Sequence, residues 1–506
     1  MFRWLTLPRL VIAILFLAVF AMAARVSADT DTWWHLRTGQ WIVEHGTVPQ
    51  TDPFSHTRAG ADWRIPGWIV QVPLYGLFAG LGYAGLNLFT AALVTLTFAL
   101  VYPACSGHPL LRAFALVLAA AASAIYWSAR PQLVSLVLAA AFALVLFQFR
   151  QGRNRLWLLP PLMALWANAH GGFAIGFILI ALTLAGESLK VAAAWLRRRR
   201  SAPGAPATGR ESPAALFWLI GLGLACAAAV AANPAGPEML FYPFKTVGIG
   251  ALRDFIQEWQ SPNFHATEAQ PFLWLLLATF AGVALGRRPV DVTDLVLVAG
   301  TAYLGFLAGR NMPLLAVVAP PLLTRSAAGL LDDARRQWSR APVGQPAPEP
   351  ETGPAPAAGN LAVNWVILSV IAAVALLKVV TVLPASVNEQ ALRRFLPLDA
   401  AAYIQRERPP GPMFNSYNYG AYLTWALYPD YPVYTDGRTD LYDDAFLREY
   451  LNVALGRPGY ADVLDRAGIR LVLVEADSLL GDRLNESVDW RVLYRDEVAA
   501  VYGRAP

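Results

Sequence analysis

Charge is scarce in this sequence. Asp, Glu, Lys and Arg make up 15% of its 506 residues, where a soluble globular protein carries about 25%. With 56% hydrophobic residues, a fold in water would lack the polar surface to cover itself. That excludes a soluble enzyme and implies helices of roughly 20 apolar residues crossing a bilayer. Cysteine is scarcer still. Cys105 and Cys226 stand singly in or beside apolar runs, so no metal-spaced or redox-spaced pair exists, and both read as small buried hydrophobes. No long basic tract interleaved with aromatics occurs, which argues against nucleic acid as a partner. The middles of most apolar runs lack ionisable residues, which pumps and coupled transporters place near the midplane.

What is present is a series of apolar runs at 8–24, 84–104, 112–128, 131–149, 156–169, 173–196, 214–233, 271–286, 291–309, 311–325 and 361–383. They predict a mainly α, polytopic membrane protein of about eleven spans. Basic residues fix its orientation. Arg3 and Arg9, Arg150 to Arg155, Arg197 to Arg200, Arg287 and Arg288, and Arg335 to Arg340 all fall on one side. By the positive-inside rule that side, with the N-terminus, is cytoplasmic. The first run also has the form of a signal peptide with a small-residue exit at Val26-Ser27-Ala28, and cleavage there would leave the later topology unchanged. Residues 1–383 then form the membrane domain and 384–506 an extracytoplasmic α/β unit. The loops 201–213 and 326–360 are cytoplasmic, the second Pro/Ala/Gly-rich over 341–359 and expected to be largely disordered. Glu187 and Lys190, at i and i+3, read as a mutually neutralising pair near the inner face.

The chemically interesting residues gather on the outer side. The first outer loop, 25–83, opens with Asp29-Thr30-Asp31 and continues through Trp33, Trp34 and His35. Residues 31–45 predict a helix in the membrane interface, stopped by Gly46, and Trp63 to Phe78 a second amphipathic piece. Arg130 and Arg310 occupy very short outer turns, against the charge bias. Each either grips a phosphate at headgroup level or pairs with Asp29, Asp31 or Glu258, or snorkels to ordinary lipid. His170-Gly171-Gly172 opens a helix whose free N–H groups suit an anion, although a lone histidine also reads as structural. The stretch from Phe255 through Glu258 to Asn263 suits a sugar cleft or an interfacial anchor.

On these residues the chain resembles GT-C-type integral membrane glycosyltransferases, which have an acidic motif directly after the first membrane helix and interfacial helices in a long first outer loop. The stretch from Asp31 to Pro49 is similar to bacterial enzymes of the protein mannosyltransferase and lipid A sugar transferase kind. The resemblance implies a glycosyltransferase that takes sugar from a polyprenyl-phosphate donor, with Asp29 or Asp31 as the general base for an acceptor hydroxyl or as the organiser of a metal. It implies that Arg130, Arg310 or His170 stabilises the departing phosphate, with Asn311, His35 and Glu258 as further substrate-binding or phosphate-binding candidates. A divalent metal is left open, and no other cofactor is implied. The partners would be the lipid-linked donor, a cell-envelope glycan, lipid or protein acceptor, and the bilayer of the inner or plasma membrane.

In the C-terminal unit, helix-like stretches at 398–407, 443–455 and 460–467 alternate with strand-like runs at 433–435, 469–474 and 498–502. The segment from Asn415 to Leu423 resembles the acceptor-binding region of oligosaccharyltransferase catalytic subunits, although no Trp-Trp-Asp occurs here, so peptide specificity does not carry over. Tyr419, Asp436, Arg438 and Asp440 are the acceptor-side candidates; Asp436-Gly437-Arg438 reads equally as a turn with a local ion pair. A rival reading is a transporter, flippase or assembly scaffold for lipid-linked glycans, which would not need the acidic pair for chemistry.

Overall fold

All eleven apolar runs are helical in the computed structural model, which describes residues 4–200, 213–286, 289–338 and 358–505. Nearly all of the expected linkers at 201–213 and 341–359 lies outside these residues, as do Arg3, Arg287, Arg288 and Arg340. From α1 (Leu7–Ala23) the chain enters the first long loop with α2 (Thr32–His45) and α3 (Trp68–Leu81). A close-spaced series follows: α4 (Tyr83–Val101), α5 (Pro109–Ser123), α6 (Gln132–Arg150), α7 (Leu159–Ala169), α8 (Ala174–Arg200) and α9 (Pro213–Val230). Two short helices, α10 (Tyr242–Val247) and α11 (Gly250–Phe255), interrupt it before α12 (Gln270–Leu285), α13 (Val292–Leu307), α14 (Met312–Trp338) and α15 (Ala358–Val382). Among the described residues, seven helical segments are long and apolar enough to cross a membrane, and the segments at Leu7–Ala23, Leu156–Ala169, Gln270–Leu285 and Val292–Leu307 are apolar but of 10–17 residues. The molecule is a mainly helical, polytopic membrane protein with a small C-terminal sheet domain. Cys105 and Cys226 are buried and unpaired, as small core residues.

At the Arg150 end of the bundle the Glu187–Lys190 pair, at 2.5 Å, extends into a network. Arg150 reaches Glu187 (3.3 Å), Asp291 (2.9 Å) and Asp294 (2.6 Å), and Arg325 also pairs with Asp294 (2.6 Å). Three cations meet three carboxylates, so α6, α8, α13 and α14 are joined without an unmatched charge. In a low-dielectric setting that match is what makes burial tolerable.

The C-terminal domain continues with α16 (Ala385–Leu392), α17 (Leu398–Glu407), β1 (Met413–Asn415), α18 (Tyr417–Leu427), α19 (Asp444–Ala454), α20 (Tyr460–Arg466), β2 (Leu471–Glu475), α21 (Leu479–Glu486), β3 (Trp490–Arg495) and β4 (Ala499–Arg504). The sheet order is β1-β2-β4-β3, with β1 parallel to β2 and the other pairs antiparallel. Period-two alternation fills both faces. Leu471 and Leu473 pack with Ile404, Leu423 and Leu427 of α17 and α18, whereas Val472 and Val474 pack with Tyr450, Leu464 and Leu480 of the opposite layer. The predicted run at 433–435 is not a strand of this sheet. Val433 bridges instead to Ser55 in the first long loop, its N–H donating to Phe54 O (3.1 Å) and its carbonyl accepting from His56 N (3.0 Å). An apolar triplet marks an extended segment, but its hydrogen-bonding partners lie far away in the first long loop and leave no local trace.

The loop and the C-terminal domain are locked together by one buried ion pair. Arg438, 1% exposed, donates to Asp52 and, through Nε and Nη2, to Asp436 at 2.7–2.9 Å. Its guanidinium lies 4.6 Å from the Trp63 ring centroid and 5.2 Å from that of Phe54. Asp52 also caps its own turn by accepting from Phe54 N and Ser55 N. The predicted helix 31–45 is present as α2, and it is packed between α3 and α18 by Trp33, Leu36 and Ile42. Gly39 permits the contact, since a Cβ there would overlap Gln71 O of α3. Gly39→Val should therefore lower the stability of the detergent-solubilised protein by about 1–3 kcal/mol, whereas Gly76→Ala, where an added Cβ meets nothing, should not lower it. Asp52→Asn should cost about 3–5 kcal/mol by stranding part of a buried charge. Thermal unfolding of the three variants checks the order.

Candidate functional site

The residues that shape the site come from four turns at one end of the bundle. Asp29 and Asp31 follow α1, and Asp29 turns the chain by accepting from Asp31 N (2.9 Å), which sets up the start of α2. Arg130 lies in the short turn before α6. Its Nε is 3.0 Å from Asp29 Oδ2, its Nη1 2.5 Å from Asp31 Oδ2 and its Nη2 3.5 Å from Glu258 Oε2. Glu258 is also 3.6 Å from Arg310, whose guanidinium lies 4.1 Å from the Trp259 ring centroid. Of the reasons weighed for a cation in these turns, pairing with acids is met at both. Gly309 lets the Arg310 turn approach Tyr126, because a Cβ there would overlap the phenol oxygen. Asn311 donates to Leu304 O (3.1 Å) and closes the end of α13.

The electrostatics follow from three carboxylates facing two guanidiniums. Burial pushes the Asp31 carboxyl up to about 7, with Asp29 and Glu258 adding to the rise and outweighing Arg130. Burial opposes the charge on Arg130, but Asp29, Asp31 and Glu258 hold its proton more firmly than usual. For Glu258 burial is overcome by Arg310 and Arg130, which keep it below its ordinary value.

The two histidines flank this centre as neutral rings. His170 Nδ1 accepts from Gly172 N (3.0 Å) and lies 2.8 Å from Ser135 Oγ, which itself accepts from Trp166 Nε1 (2.7 Å). Burial, with Arg310 and Arg130 adding, depresses His170 to about 3. His35 Nδ1 lies 2.9 Å from Gln71 Nε2, the ring is 3.6 Å from Trp34, and burial holds it well below its ordinary value. A backbone N–H can only donate, so the His170 ring carries its proton on Nε2.

The C-terminal domain supplies the lid of the site. Gly437 lies against Asp31, and an added Cβ would overlap Asp31 Oδ1. Tyr417 is close enough for burial, Asp31, Asp436 and Glu258 to push its phenol well above the ordinary value. Asp440 is pushed up to about 6 by burial and influences Tyr242, whose ring packs on Gly171. The acceptor-side candidates therefore separate. Asp440 stands beside the site, Asp436 and Arg438 are spent on the buried lock to Asp52, and Tyr419 lies in the domain core with its hydroxyl donating to Val498 O (2.8 Å). Sequence reasoning missed Gly437, Tyr417 and Tyr242; the first two sit in quoted segments, but nothing local showed that they face Asp31.

Beside Arg130 lies a cleft of about 410 Å³ lined by Arg25, Asp29, Tyr126, Trp127, Gln132 and Glu258, among others. A resident divalent ion does not fit the acids as they stand. Among the described residues no three His, Cys, Asp or Glu side chains are grouped to hold one, and Asp29, Asp31 and Glu258 are turned to Arg130.

Fold and site together define a polytopic, mainly helical membrane protein with a C-terminal sheet domain packed against an acidic cluster beside the first membrane helix. The structure overlays on archaeal oligosaccharyltransferase AglB from Archaeoglobus fulgidus in complex with an inhibitory peptide and a dolichol-phosphate, with a TM-score of 0.54 and 12% identity over 92% of this chain and 69% of that one. The A. fulgidus oligosaccharyltransferase tethered by a disulfide to an acceptor peptide containing the NVT sequon gives 0.54 and 12% over 99% and 75%. ArnT from Cupriavidus metallidurans bound to undecaprenyl phosphate gives 0.49 and 14% over 97% of each chain. No family model and no curated protein matches the sequence.

The raised Asp31 has a measurable consequence. Its unfolded value is about 3.9, so between about pH 4 and 7 the folded protein binds more protons, and stability from this group falls as pH rises through that window. Asp31→Asn should melt higher than wild type at pH 8, and the gap should narrow at pH 5. A lower melting temperature at pH 8 would instead mean a net stabilising ionised pair.

Proposed function

We propose that this chain is a GT-C-type glycosyltransferase that moves a sugar from a polyprenyl-phosphate-linked donor to a cell-envelope acceptor. Asp31 carries this reading: a carboxylate held near neutrality, at the exit of the first membrane helix, in a fold shared with oligosaccharyltransferase. A general base works best with a pKa near the working pH. The acceptor oxygen attacks the anomeric carbon as the bond from that carbon to the phosphate oxygen breaks. The acceptor proton passes to Asp31, and the bonding electrons leave with the polyprenyl phosphate. Asp29 and Arg130 position Asp31, and Glu258 holds Arg130 and Arg310. Gly437 and Tyr417 pack close to the base, whose side chain stays partly exposed. On this reading the face lies outside the inner or plasma membrane with the N-terminus in the cytoplasm, which the Lys and Arg bias of the loops supports.

Proteoliposomes given radiolabelled polyprenyl-phosphate sugars and envelope-lipid acceptors test the reading. Asp31→Asn should reduce transfer by about 10²–10⁴-fold, the usual contribution of a general base. Wild-type transfer should rise with pH to a plateau above about 7. Transfer indifferent to Asp31→Asn removes Asp31 as the base, and labelled lipid flipped across the bilayer without transfer favours the transporter reading.

A further inference from the structure

A second cleft has no part in the centre around Asp31. It lies between α2 and the helices α17 and α18 of the C-terminal domain, with a volume of about 450 Å³. Small-molecule sites span about 300–1,000 Å³. Arg37 and Gln40, three residues apart, share one face of α2 and line the cleft with Gln405, Tyr422 and Trp425. His35, which feels the charge of Arg130, precedes Arg37 by two residues, about 200° around the helix. The cleft therefore opens on the side of α2 turned away from the acids.

Its polar groups are only partly used. Arg37 donates through Nη1 to the neutral Gln40 Oε1 (2.8 Å), and its guanidinium lies 4.8 Å from the Tyr428 ring centroid. Gln40 is itself fixed by donating to Glu44 (2.8 Å). The Arg37 Nε is buried without a hydrogen-bond partner. Among the described residues its Nη2 has none either, and no carboxylate pairs with it. Gln405 donates to Ala426 O (2.7 Å), which leaves its Oε1 open. The Trp425 ring is held by Phe78 and Trp33, at centroid distances of 5.5 and 6.1 Å, and its Nε1 has no hydrogen-bond partner among the described residues.

We propose that this cleft is a binding site for an acidic saccharide, with Arg37 taking a carboxylate of the sugar and Gln405, Tyr422 and Trp425 its ring and hydroxyls. A pyranose offers hydroxyls that donate and accept, and a face of C–H groups. Amides, an indole N–H and aromatic rings side by side meet both. Acyl chains would need an apolar trough, whereas five of the nine lining residues carry hydrogen-bonding side chains. Arg37 adds the charge preference, because a guanidinium whose one acceptor is neutral selects an anion, and a planar carboxylate matches its donors. Taking the saccharide to be the distal part of the acceptor rests on the transferase reading above. The reacting hydroxyl would then lie at Asp31 while a remote sugar unit is gripped on the other side of α2. Binding energy from such non-reacting parts is what positions a reacting group.

The test is calorimetric titration of the full chain in phosphatidylcholine nanodiscs, with trigalacturonic acid as probe and its methyl ester as the uncharged control. Wild type should bind the acid more tightly than the ester. Arg37→Gln should weaken binding of the acid by about tenfold or more, the worth of a charge-assisted contact, and bring it close to that of the ester. Gln405→Glu, at an exposed position, should also weaken the acid by adding a like charge, and it reports on the cleft even where Arg37→Gln fails to fold. Wild type that binds neither compound, or both equally, overturns the proposal. So does acid bound equally by wild type and both variants. Discs doped with phosphatidylglycerol at physiological salt test the lipid alternative: unchanged binding of the acid supports the saccharide site, and its loss assigns the cleft to a headgroup and overturns the proposal. Asp31→Asn should bind the acid as wild type does, so the two readings fail separately. Charge-selective binding in a protein that transfers no sugar keeps this site and removes the transferase reading.

Discussion

The end of the helical bundle that carries the first long loop is organised by one guanidinium that must not be left alone. Arg130 sits in a turn of a chain that has little charge to spend, and burial makes its ionisation unfavourable unless carboxylates surround it. Three do, from two separate stretches: Asp29 and Asp31 after α1, and Glu258 in the 234–270 loop. Satisfying Arg130 thus fixes the exit of α1, the start of α6 and that loop relative to one another. Burial, with the crowded negative charge of Asp29 and Glu258 adding to it, lifts the Asp31 carboxyl to about 7. Structure and reactivity here are one electrostatic fact.

A second polar cluster balances the first from the far end of the bundle. The two are joined by α6, which runs 19 residues from beside Arg130 to Arg150. At 1.5 Å per residue that is about 28 Å, one hydrocarbon thickness. The Arg150 network is charge-balanced and ties four helices; the Arg130 cluster is unbalanced and faces a cleft. A matched network is what structure alone requires. The mismatch, kept at one end only, is what a reactive site requires.

The membrane part was legible because its signal is compositional. Eleven apolar runs became eleven helices, and helix stops such as Gly46 in its left-handed conformation were readable from single residues. The acids and arginines were legible as outliers, since a charge in an apolar chain stands out. What could not be read was partnership across the chain. Arg438 looked like an acceptor contact or a local turn pair, and it does bind Asp436, but its other carboxylate is Asp52, with Phe54 and Trp63 stacked beside it. Gly437 carried no signal, because its importance lies in what a side chain there would strike.

The C-terminal domain follows from the same reasoning. An acid near neutrality is useful only while water is kept from it, since solvation would return its pKa to the ordinary range. The C-terminal domain covers the site by docking on the first long loop, and the buried Arg438–Asp52 pair with the Ser55–Val433 bridge is that dock. Glycine at position 437 then sets how closely the roof can approach Asp31. The lock that appears purely structural is therefore the feature that holds Asp31 in the environment its proposed chemistry needs.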